Sequence, residues 1–430
     1  MKRYETYKDS GAEWIVEIPE QWHSIKLKFL GYLFSGLSGK KGDDFKKDDS
    51  EFNKNYIPFT NIANNSVIDP CRLDSVEIFE NENQNAVKKN DIFFLMSSEN
   101  YDDIGKTAVL LLELENTYLN SFCKGFRLNN QDDIDAVFLN YLLSGDIYRK
   151  LLSTEAKGFT RINLQMGKIQ NLPVSLPKTK KEQTQIATYL DHKTGLIDAI
   201  IAQKEDLIKK LKEQRQAIIN EAVTKGLNKD VKLKDSGIEW LGEIPEHWEV
   251  CKIKHLVELK SGNFISANEI EPQGKYPVYG GNGLRGFTNK HTHYGSYILI
   301  GRQGALCGNI NYAHNQFWAT EHAVVTTFKT IMNLDYFGEL LRSMNLNQYN
   351  ESAAQPGLAV GKIENLNIPK ISIDEQEKIA SFIKLRINLT KTLICKNMKQ
   401  IEKLKEYRQS LISEAVTGKI DVRDWQAPKS

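Results

Sequence analysis

Cysteine and proline are scarce in this chain of 430 residues, which has five of the first and 11 of the second. The cysteines, Cys71, Cys123, Cys251, Cys307 and Cys395, are odd in number, widely scattered and free of any C-x-x-C pair. That is a pattern of reduced thiols, and it excludes a disulfide framework and a zinc module alike. Long apolar runs are missing as well. With 26% charged residues, a mean hydropathy of −0.45 and nothing near the roughly 20 consecutive apolar residues that a bilayer demands, a membrane protein is excluded. The opening from Met1 to Asp9 has basic residues but no apolar stretch behind them, so no secretory leader is expected and a cytoplasmic location is. Nor is there an excess of one charge. With 57 Lys+Arg against 55 Asp+Glu, any binding of nucleic acid must rest on local clustering of charge. At roughly 100–200 residues per domain, the length suggests two or three domains.

Catalytic motifs are absent too. There is no G-x-x-x-x-G-K-[ST] phosphate loop, no Pro-Pro pair for an amino-methylating motif, and no convincing acidic pair followed by lysine for a metal-dependent nuclease. Gly281-Asn282-Gly283-Leu284-Arg285-Gly286 fits G-x-G-x-x-G, but the segment after it, Phe287 to His291, is turn-like rather than helical. A recognition loop or tight turn is expected there, not a cofactor site. His291 and His293, with Glu321-His322 nearby, lack a further ligand at a recognisable spacing, so no metal site is expected. No residue is assigned a catalytic role.

What the sequence does contain is an internal repeat. Lys8-Asp9-Ser10-Gly11-Ala12-Glu13-Trp14, running on to Ile18-Pro19-Glu20-Gln21-Trp22, recurs as Lys234-Asp235-Ser236-Gly237-Ile238-Glu239-Trp240, running on to Ile244-Pro245-Glu246-His247-Trp248. Gly167-Lys168-Ile169 recurs as Gly361-Lys362-Ile363, succeeded in turn by Glu182-Gln183 and Glu375-Gln376. Each half closes alike, with Arg215-Gln216 leading to Glu221-Ala222-Val223-Thr224 and Arg408-Gln409 leading to Glu414-Ala415-Val416-Thr417. The residues between, about 23–160 and 249–355, show no evident resemblance to each other. The chain is a doubled frame around two different inserts.

The closing segments read as long helices. Ile186, Leu190, Ile197, Ile200, Leu207, Leu211 and Ile218 keep a 3-4 spacing before a stop at Gly226, and Ile379, Ile383, Leu393, Leu404, Tyr407 and Leu411 do so before Gly418. A stripe that long outruns a compact domain, so the two helices are expected to pack on each other, with Lys193, Lys204, Arg386 and Asn397 as polar interruptions that fix register. The inserts read as mixed α/β, with short strands at 91–96, 108–112, 297–300 and 323–328 and helices at about 135–152 and 334–345. The expected division is 1–176, 177–228, 229–369 and 370–430, alternating mixed domain and spacer helix.

Two polar surfaces punctuated by aromatics remain. In the second insert, Gly-rich loops carry Tyr279, Asn282, Arg302, Gln303 and Gln355; in the first, loop and strand-edge positions carry Asn61, Ser98, Asn100, Lys124, Arg127 and Arg161. Arginine and lysine can pair with guanine, and asparagine or glutamine with adenine, in a major groove.

Together these residues resemble the DNA specificity subunit of type I restriction-modification enzymes. The resemblance spans nearly the whole chain. It is carried by the repeated opening, by Tyr276-Pro277-Val278-Tyr279-Gly280-Gly281-Asn282-Gly283, by Ile300-Gly301-Arg302-Gln303-Gly304, by Phe317-Trp318-Ala319-Thr320-Glu321-His322-Ala323, and by Gln355-Pro356-Gly357-Leu358. It adds His322 to the candidates. It implies two target recognition domains separated by two antiparallel coiled-coil helices in a pseudo-twofold repeat, each domain reading half of an asymmetric bipartite site on double-stranded DNA. It further implies two methylation and two restriction subunits as partners. S-adenosylmethionine, ATP and magnesium would then sit on those partners and no cofactor on this chain. Two other readings stay open at this point: a self-sufficient nuclease or methyltransferase, and a coiled-coil scaffold with two protein-binding domains.

Overall fold

Several residues kept in the repeat make the same bond in both copies, although Trp240 donates to the carbonyl of Asn367 and its counterpart Trp14 has no such partner among the described residues. In the computed structural model, which describes residues 2–12, 14–45, 50–158, 160–304, 306–350 and 357–428, the opening folds as a hairpin of Tyr7–Ala12 with Ile15–Pro19, and again of Leu233–Asp235 with Glu243–Pro245. Lys8 Nζ donates to the carbonyl of Glu20 at 2.7 Å and Lys234 Nζ to that of Glu246 at 2.7 Å. Asp9 and Asp235 accept from the amides of Gly11 and Gly237 at 2.8 and 2.9 Å. The repeated tryptophans are buried, and each indole donates to the repeated glutamate, Trp22 to Glu182 at 2.9 Å and Trp248 to Glu375 at 3.1 Å. The adjoining glutamines are buried as well. Gln183 Oε1 accepts from the amide of Asp135 at 2.8 Å and Gln376 Oε1 from that of Asn333 at 2.9 Å. Those two residues are the N-caps of helices Ala136–Ser144 and Leu334–Ser343.

The chain divides into two compact units, residues 1–203 with 399–430, and residues 204–398. The compact division therefore runs through the long helices, Lys180–Lys225 and Ile373–Val416, rather than at their ends. Within the first unit Asp198 pairs with Arg408, and Gln185 reaches Trp425; within the second, Lys204 Nζ donates to Asn397 Oδ1 at 3.3 Å while Val223 shares a core with Ile379, so in each the helix segments run antiparallel.

The seam differs from the expected one by single residues. Ile200, Leu207, Leu393 and Tyr407 are exposed, whereas Ile201 and Ile401 are buried. Ile200-Ile201 and Leu207-Ile208 are both apolar doublets, so hydropathy leaves the phase open by one residue. The step of four from Ile197 to Ile201 and of three to Lys204 resolves it. Lys204 and Asn397 are thus at the seam, where their hydrogen bond offsets the loss of hydration.

The two inserts, unlike in sequence, share a fold. The first unit holds a four-stranded antiparallel sheet in the order Gly31–Ser35, Cys123–Leu128, Ile92–Leu95, Thr107–Val109; the second holds Val257–Ser261, Ala323–Phe328, Tyr297–Gly301, Ile310–Ala313 in the same order. A second sheet repeats likewise. Asn53–Ile57 lies parallel to Thr117–Leu119 and antiparallel to Asp74–Glu77, as Tyr276–Gly280 does to Gln316–Ala319 and Gly283–Thr288. The fold class is mixed α/β, as expected. Three expected elements end differently. The run 108–112 leaves its strand after Val109, with Leu112 exposed; the helix at 135–152 breaks at the extended Gly145 into 136–144 and 146–155; and Phe287-Thr288, expected as turn, belongs to a strand, while Gly281-Asn282 is the tight turn of a hairpin, as expected.

Apolar side chains from sheet and frame fuse into one core in the second unit, where Ile298, Ile300 and Val324 meet Phe337, Leu341, Trp248, Ile379 and Val223. In the first, Ile57, Phe93, Leu95 and Leu119 pack between the two sheets, as Leu299, Phe317, Ala319 and Val325 do in the second.

Candidate nucleic-acid interface

At one end of each four-stranded sheet, four chain segments converge through matched backbone hydrogen bonds. In the second unit the amide of Arg302 donates to the carbonyl of His322 at 2.9 Å, Leu358 to Arg302 at 2.9 Å, Thr320 to Tyr279 at 2.9 Å and Ala323 to Thr320 at 2.9 Å. In the first unit Met96 donates to Phe122 at 3.0 Å, Leu164 to Met96 at 2.9 Å, Asn120 to Ile57 at 3.1 Å and Cys123 to Asn120 at 3.1 Å. Glycine is required where the segments meet, because a Cβ on Gly36 would lie 2.1 Å from the carbonyl oxygen of Asn120, and one on Gly262 2.2 Å from that of Ala319. A side chain fixes each turn: Asn120 Oδ1 accepts from the amide of Phe122 at 2.9 Å, and Thr320 Oγ1 from that of His322 at 3.3 Å.

In the second unit this end gathers most of the expected residues. Arg302 is half-buried with Nη1 donating to Ser261 Oγ at 3.3 Å, and Gln303 is exposed and bridges to Gly357. His322 lies 3.2 Å from its neighbour Glu321. Asn282, exposed at the hairpin turn, accepts from Asn309 Nδ2 at 3.3 Å. Tyr279 is half-buried, with its ring edge-on to Phe317. Gln355 lies outside the described residues. His291 and His293 do not converge: His291 packs on Tyr276, while His293 stacks on Phe317, where burial lowers its pKa. Among the described residues there is no group of three His, Cys, Asp or Glu side chains fit to hold a metal, and no helix long and apolar enough to cross a membrane.

The first unit changes the set more. Asn61 is buried and its amide is consumed locally, Nδ2 donating to the carbonyls of Asp69 and Arg72 at 2.9 Å each and Oδ1 accepting from the amide of Asp69 at 3.0 Å. It stitches a turn and is withdrawn from the surface set. Arg127 is withdrawn too, since it forms a two-pronged pair with Asp91 at 2.8 and 2.7 Å and lies over Phe34. Burial raises the Asp91 carboxyl and that pairing opposes it, while the same bonds raise Arg127. Lys124, half-buried, donates to Ser35 Oγ at 2.9 Å. Ser98, on the two-residue strand paired with Ile162-Asn163, and exposed Asn100 make local turn bonds. Arg161 is exposed, its guanidinium 4.6 Å from the ring centre of Phe122.

Phe122 is not among the residues expected to matter. Its signal is a faint one, the pattern Leu119-Asn120-x-Phe122-Cys123 against Ala319-Thr320-x-His322-Ala323, in which a capping residue precedes the displayed one by two places.

Comparison with known proteins places this architecture. A family model described as "Type I restriction modification DNA specificity domain" matches residues 19–210 and 245–403. The EcoprrI specificity subunit of Escherichia coli, a type I restriction enzyme component, is 44% identical over 142 residues, 32% of this chain and 35% of that protein. The chain thus matches about a third of the length of that relative. The putative type I MjaX specificity subunit of Methanocaldococcus jannaschii is 25% identical over 437 residues, covering 95% of this chain and 96% of that one. A solved chain from a study of assembly and conformational transition in the type I R-M system matches with a TM-score of 0.74 at 13% identity, covering 94% of this chain and 99% of that one, which is a likeness of fold. With the family model matching both sheet-bearing domains and most of both long helices, the chain belongs to the type I restriction-modification DNA specificity family.

Proposed function

We propose that this chain is the sequence-reading, non-catalytic subunit of a type I restriction-modification complex. Each unit contacts one half of an asymmetric bipartite site on double-stranded DNA, and the chain directs methylation and restriction subunits, two of each, to that site. The observation that carries the reading is the pair of matched backbone ladders displaying unlike side chains, Arg302 and His322 in one unit against Met96 and Phe122 in the other. One scaffold with two sets of displayed groups suits two unlike half-sites. In such an arrangement phosphate contacts position the duplex and a few displayed side chains specify bases. S-adenosylmethionine, ATP and magnesium belong in this reading to the partners, and the subunit works in the cytoplasm beside the DNA.

The test is co-expression with a type I methylation subunit in a host lacking other methyltransferases, and then mapping of methylated bases across the genome. A single two-part motif with an unspecified gap is expected. A stable complex with no new methylation would instead favour a scaffold that binds protein.

A further inference from the structure

We infer that Phe122 and Arg161 form the base-reading element of the first unit, with Arg161 directed to a guanine and Phe122 as the platform that aims it; this rests on the function proposed above. Three observations converge on the pair. The first is position: Phe122 occupies the place in its ladder that His322 holds in the other unit, each on a turn capped two residues earlier, by Asn120 and Thr320. The second is exposure: 38% of the Phe122 surface faces solvent on a turn that the Asn120 side chain fixes, so its ring is open to contact.

The third is the state of the arginines. Arg72 is paired with Asp69, Arg127 with Asp91, and Arg149 donates to the carbonyls of Ile104 and Asp102. Arg161 alone in this insert has no carboxylate or carbonyl partner for its guanidinium among the described residues, which place it only over the Phe122 ring. A guanidinium stacked on an aromatic face keeps its fork of donors free and loses little rotamer freedom when it binds. That fork matches O6 and N7 of guanine in the major groove. Its backbone is anchored, because Asn163 Nδ2 donates to the Arg161 carbonyl at 3.0 Å and Ile162 pairs with Ser98.

The experiment compares three variants with the native chain, each co-expressed with the methylation subunit, by mapping the methylated motif. Arg161→Lys keeps the charge but removes the fork, and should cut the preference for guanine at one position of one half-site by roughly tenfold or more, the lower range of a two-pronged base contact. Phe122→Leu keeps apolar bulk and removes the ring face, and should relax the same position several-fold. Arg302→Ala should relax only the other half-site. Thermal melting of each complex separates a folding defect from a reading defect. Relaxation by Arg161→Lys in the same half-site as Arg302→Ala, or a uniform loss of methylation with both half-sites fully specified, overturns the inference. A native chain that yields no two-part motif overturns the proposed function instead.

Discussion

The two units agree where side chains must make a bond and differ where backbone alone suffices. In the frame, lysine, aspartate, tryptophan, glutamate and glutamine each reach a particular partner, and those residue types recur in both copies. In the inserts, hydrogen bonds between main-chain groups hold the same sheets together in the same order, and the sequences have drifted beyond recognition. A ladder of amides and carbonyls does not care which residues carry it. The displayed positions are therefore free to change without cost to the fold, as a recognition module requires.

The largest effect should come from breaking the frame. Trp22 and Trp248 are 0% and 1% exposed, so Trp22→Ala or Trp248→Ala should each cost about 3–5 kcal/mol. Calorimetry should show the loss in the transition of the unit that carries the substitution. Equal loss in both transitions would mean that the two units do not melt separately.

At the displayed end, Arg302→Ala should weaken binding to one half-site by about 1–3 kcal/mol if the guanidinium pairs with a base. Binding titrations on the cognate site, on a site altered in that half and on random duplex measure it. An equal loss on all three would make Arg302 a phosphate contact, and the comparison with Arg161 would then be one of opposite roles.

An effect of comparable size, on stability rather than binding, is expected from the capping glutamines. Gln183→Ala and Gln376→Ala each strand a helix-cap amide, that of Asp135 or Asn333, and should cost about 1–3 kcal/mol by chemical denaturation. Similar values in the two units would establish that the repeat is energetic as well as geometric.

The same contrast governs how much of the fold and the interface is legible in the sequence. The opening motif, the long helices and their glycine stops stand out because they need particular residues at particular spacings; Gly226 and Gly418 both take positive φ, at 75° and 73°. The common fold of the inserts is hidden because its signal is in the main chain. Asn61 misleads for a related reason, since an asparagine in a turn reads the same whether its amide faces solvent or, as here, ties Asp69 to Arg72. Phe122 escapes notice because only its place in the ladder distinguishes it from a core phenylalanine.

The units also differ in how the end of the frame is closed, and this gives the finest test. In the second unit the chain runs on covalently past Gly226, whereas in the first a tail after Gly418 is held by side chains. Asp421 takes a two-pronged bond from Arg423 at 2.9 and 2.8 Å, Arg423 lies over Tyr4, and Trp425 packs on Tyr189. The Arg423 guanidinium holds the Asp421 carboxyl below the ordinary carboxylate range. A carboxyl lowered by folding stabilises fully above its unfolded pKa, about 3.9, and loses that contribution as pH falls through the lower folded value. The pair contributes about 1 kcal/mol or less, because the Arg423 side chain is partly open to solvent. Asp421→Asn should therefore reduce the acid sensitivity of the first unit's melting below about pH 5, and leave that of the second unit unchanged. The same acid response with and without the carboxylate would place the hold on the tail in its apolar contacts, Trp425 on Tyr189 above all.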